Sequence, residues 1–222
     1  MSPVSSDPED RNPERKANAS MEPSTALRVL YIVDADAARD GDRLDAVLGA
    51  GVKAVWLRVP GAEGSVLYRL ARELKGRLDA HGTALIVGGR ADVALAVGAH
   101  GVQIGHRSPP ARHIRTFFPG WMGVSCHGET DLHRAVAAGA DYVVLSPVYG
   151  VPAKGPPLGT ERFRQLAETV DIPVIGLGGI DAGNAANVRA AGAYGIAVIR
   201  ALRDAPDPAA MATQLSAGNT PA

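Results

Sequence analysis

Residues 123–129, GVSCHGE, place a hydroxyl, a thiol and an imidazole at three consecutive positions. In a β-strand, successive side chains point to opposite faces, so Ser125 and His127 share one face and Cys126 lies on the other. A histidine side chain, whose ordinary pKa is about 6.5, can accept and return a proton at neutral pH. The segment therefore predicts a strand end with a packed face that buries Cys126 as an inert thiol. Its polar face presents His127 as a proton-transfer group.

An alternation of short apolar runs with amphipathic stretches surrounds this segment from Leu27 onward. Several units end in a variant of AGA, whose glycine is typical of a helix C-cap. Runs that are apolar at every position indicate strands buried on both faces of a parallel sheet. The predicted strands are residues 28–33, 53–58, 84–87, 101–104, 122–125, 142–145, 173–176 and 195–198, and the predicted helices are 40–50, 64–80, 91–98, 109–117, 129–138, 160–169, 182–191 and 206–216.

Eight strands that alternate with eight helices predict the α/β class and a single (β/α)8 TIM barrel over residues 26–216. A doubly wound open sheet is the alternative, because the order of the strands cannot be obtained from one sequence. Residues 1–25, rich in Pro, Ser and charged side chains, are predicted to be a disordered N-terminal tail, and residues 217–222 a C-terminal tail.

Composition excludes several classes of protein. The 222 residues carry no formal net charge and no basic stripe, which argues against a nucleic-acid or membrane-surface partner. No apolar run approaches the roughly 20 residues of a membrane span, and the N-terminus lacks the apolar core of a signal peptide. The single cysteine fits a reducing compartment, so we expect a cytoplasmic protein and leave open a homo-oligomer.

Site candidates follow the apolar runs, because barrel enzymes carry their chemistry at the carboxyl ends of the strands. GLGGI after the seventh strand and Ile199-Arg200 after the eighth predict a phosphate site, since glycines let backbone N–H groups approach an anion. We expect catalysis from His127, substrate and phosphate binding from Arg58, Ser125, Lys154, Gly178, Gly179, Ile199 and Arg200, and further substrate contacts from His106 and Arg90.

From about Leu30 to Leu202 the chain resembles the superfamily of thiamine-phosphate synthases and thiazole tautomerases. The segments that carry the resemblance are LYIVDAD, GVKAVWLR, LIVGGRADVALAVGAHGVQIG, GVSCH, GADYVVLSPVYGVPAKGPPLG, IPVIGLGGI and GAYGIAVIRAL. The resemblance implies a (β/α)8 barrel in thiamine biosynthesis whose small-molecule substrate is a thiazole phosphate.

Departures from the synthase pattern concern its metal. A synthase of this family joins a hydroxymethylpyrimidine diphosphate to a thiazole phosphate, with Mg²⁺ holding the diphosphate, and Mg²⁺ prefers oxygen ligands. Gly88 and Gly89 stand where that pattern has Asn-Asp, and Ser108 stands where it has a second Asp. Trp56 and Pro60 replace a Gln and a Lys that flank the arginine of the second strand.

These departures lead us to expect the tautomerase branch, an isomerase with neither metal nor other cofactor that aromatises a carboxylated thiazole phosphate by proton transfer through His127. His106 is an alternative acid-base group. Two hypotheses from other classes stay open. One is a divergent thiamine-phosphate synthase, a transferase that binds Mg²⁺ through Asp34, Asp36 or Asp92. The other is a non-catalytic protein that binds thiamine phosphate.

Two expectations concern burial. Arg58 continues an inward alternation from Trp56 and is expected to be a buried arginine that binds a substrate anion. The other histidines lie on or beside predicted helices and are expected at the surface: His81, His100, His113 and His133.

Overall fold

A computed structural model describes residues 21–152 and 155–217 of the chain. Its strands are β1 Val29–Val33, β2 Ala54–Leu57, β3 Ala84–Gly88, β4 Gly101–Ile104, β5 Trp121–Cys126, β6 Tyr142–Leu145, β7 Val174–Leu177 and β8 Gly195–Val198. Its helices are α1 Pro23–Ala26, α2 Ala35–Arg39, α3 Gly41–Gly49, α4 Gly64–Ala80, α5 Ala91–Ala96, α6 Ala111–Arg115, α7 Glu129–Ala137, α8 Gly159–Ala167, α9 Ala185–Ala190, α10 Arg200–Arg203 and α11 Pro208–Ser216.

The eight strands form a closed barrel in sequence order, and every neighbouring pair is parallel. Closure comes from β8 pairing with β1, where Val29 lies opposite Ile196 and Tyr31 opposite Val198. The predicted (β/α)8 barrel is therefore confirmed, and the doubly wound open sheet is excluded.

Burial of the strands on both faces explains their apolar sequences. One set of side chains packs between the sheet and the surrounding helices, for example Tyr31, Val55 and Leu85. The alternate set fills the barrel interior, for example Leu30, Trp56 and Ile86. The helices match the outer set with apolar stripes, such as the α4 residues Leu67, Leu70, Ala71, Leu74 and Leu78.

The ends of the barrel differ. Ala26, the last residue of α1, and Leu27, which follows it, pack with the interior side chains and close the end at which the strands begin. The predicted N-terminal tail, residues 1–25, falls outside the described residues as far as residue 20. The predicted C-terminal tail, residues 217–222, falls outside them apart from Ala217. No helix among the described residues is long and apolar enough to cross a membrane.

Candidate functional site

A cavity of about 1000 Å³ opens at the end where the strands finish. Its wall includes most of the residues predicted from the strand ends: Arg58, Arg90, His106, Ser125, His127, Gly178, Gly179, Ile199 and Arg200. Lys154 lies outside the described residues. The fold thus brings the other candidates to one cavity, as expected from the common direction of parallel strands.

His127 is exposed at the end of β5, and its ring is held by the next strand along the chain. Its Nδ1 lies 2.7 Å from the carbonyl oxygen of Ser146, directly after β6. A carbonyl oxygen only accepts, so Nδ1 carries the proton in the neutral ring and Nε2 presents a lone pair. The backbone N–H of His127 donates to Asp131 Oδ2 at 3.0 Å, which fixes the turn into α7.

Ser125 lies two residues before His127 and is tied to β4. Gln103 Nε2 donates to Ser125 Oγ at 3.1 Å. Gln103 is 1% exposed and also belongs to the cavity wall. Gln103 is not among the predicted site residues, because it lies within an apolar run and not after one. The signal was the one polar residue inside the run GVQI.

The turn after β7 requires its two glycines. Gly178 has φ of +112° and Gly179 has φ of +63°, a region that favours glycine. A Cβ atom at residue 179 would lie 2.8 Å from Cβ of Tyr149, and one at residue 178 would lie 2.9 Å from Cα of Pro147. The carbonyl oxygens of both glycines accept protein hydrogen bonds, from Tyr149 N at 3.0 Å and Asn184 Nδ2 at 2.9 Å.

Positive charge dominates the rim of the cavity. Arg58, Arg107 and Arg200 are exposed, line the cavity and have no ion-pair partner among the described residues. The expectation that Arg58 would be buried is wrong. Strand β2 ends at Leu57, and the N–H of Arg58 donates to the Val33 carbonyl at 2.8 Å, so residue 58 lies on the rim.

Arg90 differs from the other rim arginines because it has a carboxylate partner. Its Nε and Nη2 lie 2.8 and 2.5 Å from the two carboxylate oxygens of Asp92. The hydrogen bonds from this guanidinium are the main cause that lowers the pKa of Asp92 below its ordinary value. Much of the charge of Arg90 is therefore already neutralised within the protein.

Trp56 occupies the space that a side chain at residue 88 would take. A Cβ atom at Gly88 would lie 2.7 Å from Trp56 Nε1 and 3.0 Å from the Leu57 carbonyl oxygen. Trp56 is 6% exposed, and its indole N–H has no hydrogen-bond partner among the described residues. The wall between β2 and β3 is therefore filled by an indole in place of a polar chain from β3.

The carboxylates near the cavity do not form a metal site. Ser108 Oγ accepts from the Gly105 N–H at 3.2 Å and serves a turn. Asp34 caps α2 by accepting from Ala37 N at 2.9 Å, Asp36 is exposed in the first turn of α2, and Asp92 pairs with Arg90. Within 21–152 and 155–217, no three His, Cys, Asp or Glu side chains are grouped so that they could hold a metal ion. Mg²⁺ is usually bound through one or two carboxylates together with substrate phosphates. The carboxylates of the cavity wall, Asp181 and Asp204, are already engaged by the Gly183 N–H at 2.9 Å and by Arg203 at 2.8 Å, so they do not form a ready Mg²⁺ site.

Two further predictions concern buried groups. Cys126 is fully buried, and burial raises its pKa to about 12, as expected for an inert thiol on the packed face. The surface prediction for His100 is wrong, because this residue is 8% exposed. Its Nδ1 accepts from the Leu85 N–H at 3.3 Å, and its ring lies 5.7 Å from that of Trp121. Burial is the main cause that lowers its pKa.

A closed (β/α)8 barrel with a cation-rimmed cavity at the carboxyl ends of its strands defines a barrel enzyme that acts on small molecules. Comparison with known proteins narrows this class. The sequence model described as thiamine monophosphate synthase matches residues 29–202. The chain belongs to this family.

The relatives agree with the family assignment. Thiamine-phosphate synthase of Roseiflexus sp. is 38% identical over 203 residues, which cover 88% of this chain and 86% of the relative. The same enzyme of Thioalkalivibrio sulfidiphilus is 38% identical over 203 residues, which cover 86% and 95%. The structure of thiamine phosphate pyrophosphorylase from Pyrococcus furiosus has a TM-score of 0.80 and 30% identity, and the match covers 87% of this chain and 96% of that one.

These findings overturn the expected tautomerase branch. The relatives are named as synthases, so the transferase alternative fits better than the isomerase. The expectation failed because it took the absence of the Asn-Asp pair at residues 88 and 89, and of the second Asp at residue 108, as a change of reaction. Those positions concern how the charge of a diphosphate is neutralised, and their residue types do not decide between the two reactions.

Proposed function

We propose that the protein is a transferase of the thiamine-phosphate synthase type, which joins a hydroxymethylpyrimidine diphosphate to a thiazole phosphate. The observation that carries this proposal is the cavity, in which arginines without carboxylate partners share a wall with a double-glycine turn. The reaction brings together two substrates that each carry an anion. A volume of about 1000 Å³ lies at the upper end of the usual range for ligand pockets, about 300–1000 Å³, which suits two rings bound together.

The transfer reaction separates positive charge from negative charge. The C–O bond between the pyrimidine methylene and the diphosphate breaks, and the thiazole nitrogen forms a C–N bond to that methylene. Negative charge gathers on the departing diphosphate while positive charge develops on the carbon. Arg58, Arg107 and Arg200 are available to bind the diphosphate, because none of them forms an ion pair with a carboxylate of the described residues, although Arg200 also acts electrostatically on Asp204.

The remaining residues divide between the second substrate and the developing cation. The glycine turn, Gly178 and Gly179, is suited to the phosphate of the thiazole, because glycine backbone allows close approach of an anion. His127 presents the lone pair of Nε2 and can contact the ring that acquires positive charge. Ser125 offers a hydroxyl to the same cavity.

The proposal involves no metal ion, since Asp181 and Asp204, the carboxylates of the cavity wall, are engaged within the protein. In the proposal, the rim arginines supply the charge that binds and stabilises the leaving diphosphate. Turnover is then expected to persist in the presence of a chelator.

The test is to incubate the purified protein with both substrates, with chelator or with added Mg²⁺, and to measure thiamine phosphate. We expect product under both conditions, and a lower rate for Arg107→Ala than for Arg72→Ala, an exposed arginine on α4 outside the cavity wall. Product that appears only with Mg²⁺ would overturn the role of the arginines and leave the transferase in place. Absence of product under both conditions would overturn the transferase.

A further inference from the structure

Two buried polar atoms lie beside Gly123. Gln103 Oε1 and the Tyr142 hydroxyl have no hydrogen-bond partner among the described residues. They lie 2.3 and 2.4 Å from the point where a Cβ atom of residue 123 would stand, so only glycine leaves room for both. Gln103 is 1% and Tyr142 0% exposed.

A phenol hydroxyl can donate and an amide oxygen only accepts, but the two atoms form no hydrogen bond with each other. A phenol oxygen can also accept, so Tyr142 does not decide which way the amide faces. The direction of the amide is given by the contact of its other atom, Nε2, with Ser125.

The direction of the amide has a consequence for Ser125. An amide nitrogen only donates, so Ser125 Oγ must use a lone pair to accept from Gln103 Nε2 at 3.1 Å. The proton of the serine hydroxyl is then left for another acceptor. Ser125 lines the cavity, where a bound substrate offers phosphate oxygens and ring nitrogens.

We propose that Gln103 is a positioning residue that makes Ser125 a hydrogen-bond donor to an unprotonated acceptor atom of the bound substrate. The identity of that substrate rests on the proposed function, whereas the direction of the hydrogen bond does not. Gln103 does not touch the substrate in this proposal and acts through Ser125.

The decisive variant is Gln103→Glu, which keeps the shape of the side chain and changes what its end can do. When ionised, the new carboxylate only accepts, so Ser125 must donate to it and loses its proton for the ligand. When protonated at lower pH, the new carboxyl can donate to Ser125 again. The variant should therefore bind ligand weakly at high pH and recover as the pH falls, while the parent protein shows no such recovery.

Binding is measured by calorimetry between pH 5 and 9 with two probes, thiamine phosphate and inorganic phosphate. We expect Gln103→Glu at high pH to lose about tenfold in affinity, an effect of one charge-assisted hydrogen bond, and to match Ser125→Ala. Loss with both probes identifies the acceptor as a phosphate oxygen, and loss with thiamine phosphate alone identifies a ring atom. Gln214→Glu, an exposed residue on α11, is the control for the added charge.

Gln103→Leu distinguishes the polar role of the Gln103 side chain from its role in packing. It leaves the Ser125 proton free to rotate, so it should weaken binding less than Gln103→Glu does at high pH. Tyr142→Phe removes a hydroxyl without a hydrogen-bond partner among the described residues and should bind like the parent. If Gln103→Leu binds as weakly as Gln103→Glu at every pH, Gln103 serves only packing and the proposal is wrong.

Failure of this inference is distinguishable from failure of the proposed function. If the parent protein makes thiamine phosphate and Gln103→Glu binds like the parent throughout, the transferase stands and the role of Gln103 is wrong. If the parent makes no thiamine phosphate, inorganic phosphate remains the probe. Phosphate affinity that is unaffected by both Ser125→Ala and Gln103→Glu would then refute the inference.

Discussion

Gly179→Asp offers a direct test of the glycine turn as the phosphate site. Residue 179 has φ of +63°, which costs a residue with a side chain about 1–2 kcal/mol. The new Cβ atom would lie 2.8 Å from Cβ of Tyr149 and 3.2 Å from the Gly150 carbonyl oxygen. Relief of such crowding costs roughly another 1–3 kcal/mol. The carboxylate also brings negative charge to the place proposed for a phosphate.

We expect the affinity for thiamine phosphate to fall at least tenfold, about 1.4 kcal/mol, with a loss of stability of roughly 2–5 kcal/mol from the combined strain and crowding. Calorimetric titration gives the affinity, and urea unfolding gives the stability. Gly51→Asp is the matched control. Residue 51 has φ of +97°, and a Cβ atom there would meet nothing within 4 Å, so this variant carries the strain without the crowding.

Gly179→Ala completes the series because it crowds the turn without adding charge. Affinity should fall in the order parent, Gly179→Ala, Gly179→Asp, while Gly51→Asp binds like the parent. A folded Gly179→Asp protein that binds thiamine phosphate as tightly as the parent would place the anion elsewhere and refute the phosphate assignment.

Three further outcomes are expected. His127→Asn removes the acceptor at Nε2 and should lower kcat/KM about threefold to tenfold, the effect of one hydrogen bond. His106 is exposed on the rim, and His106→Asn should lower kcat/KM less. Equal losses for the two variants in a steady-state assay would contradict the role of His127. Burial lowers the pKa of His100, so the unfolded chain binds a proton at this histidine at a higher pH than the folded protein does. The contribution of neutral His100 to stability should be fully present above the ordinary histidine pKa and decline as the pH falls below it. Urea unfolding at pH 8 and at pH 5.5 should show a smaller decline for His100→Asn than for the parent protein. Gly123→Ala would place a methyl group 2.2 Å from Tyr142 Cζ, in the interior of the barrel. We expect urea unfolding to show a loss of stability of about 1–3 kcal/mol or more. An unchanged midpoint of the urea unfolding curve would show that the interior can rearrange.

The fold could be predicted because most of its strands are apolar at every position, as in YVVL of β6, where all four residues are buried. The same pattern could not show the short helices α2 and α10, which lie in the loops after β1 and β8. Such helices of four or five residues have no room for a repeated apolar stripe. Asp34, which caps α2, was the one local signal for the first of them.

Residues that line the cavity could be predicted where their position along a strand determines which face they lie on. Ser125 and His127 reach the cavity because residues two apart in a strand share a face. Position along the chain did not predict the burial of His100, which accepts a hydrogen bond from Leu85 on a neighbouring strand. It failed also for Arg58, because the end of β2 could not be located to a single residue. The local periodicity of a sequence does not indicate which distant parts of the chain are in contact.

The contact between Trp56 and Gly88 couples the two positions, so that the effect of a substitution at one depends on the residue at the other. Any side chain introduced at residue 88 would meet the indole nitrogen 2.7 Å away, so with the tryptophan in place a polar residue there is expected to destabilise the fold. Replacement of Trp56 by a smaller residue removes this obstacle. A polar residue at position 88 is therefore expected to be tolerated only together with, or after, a change at position 56.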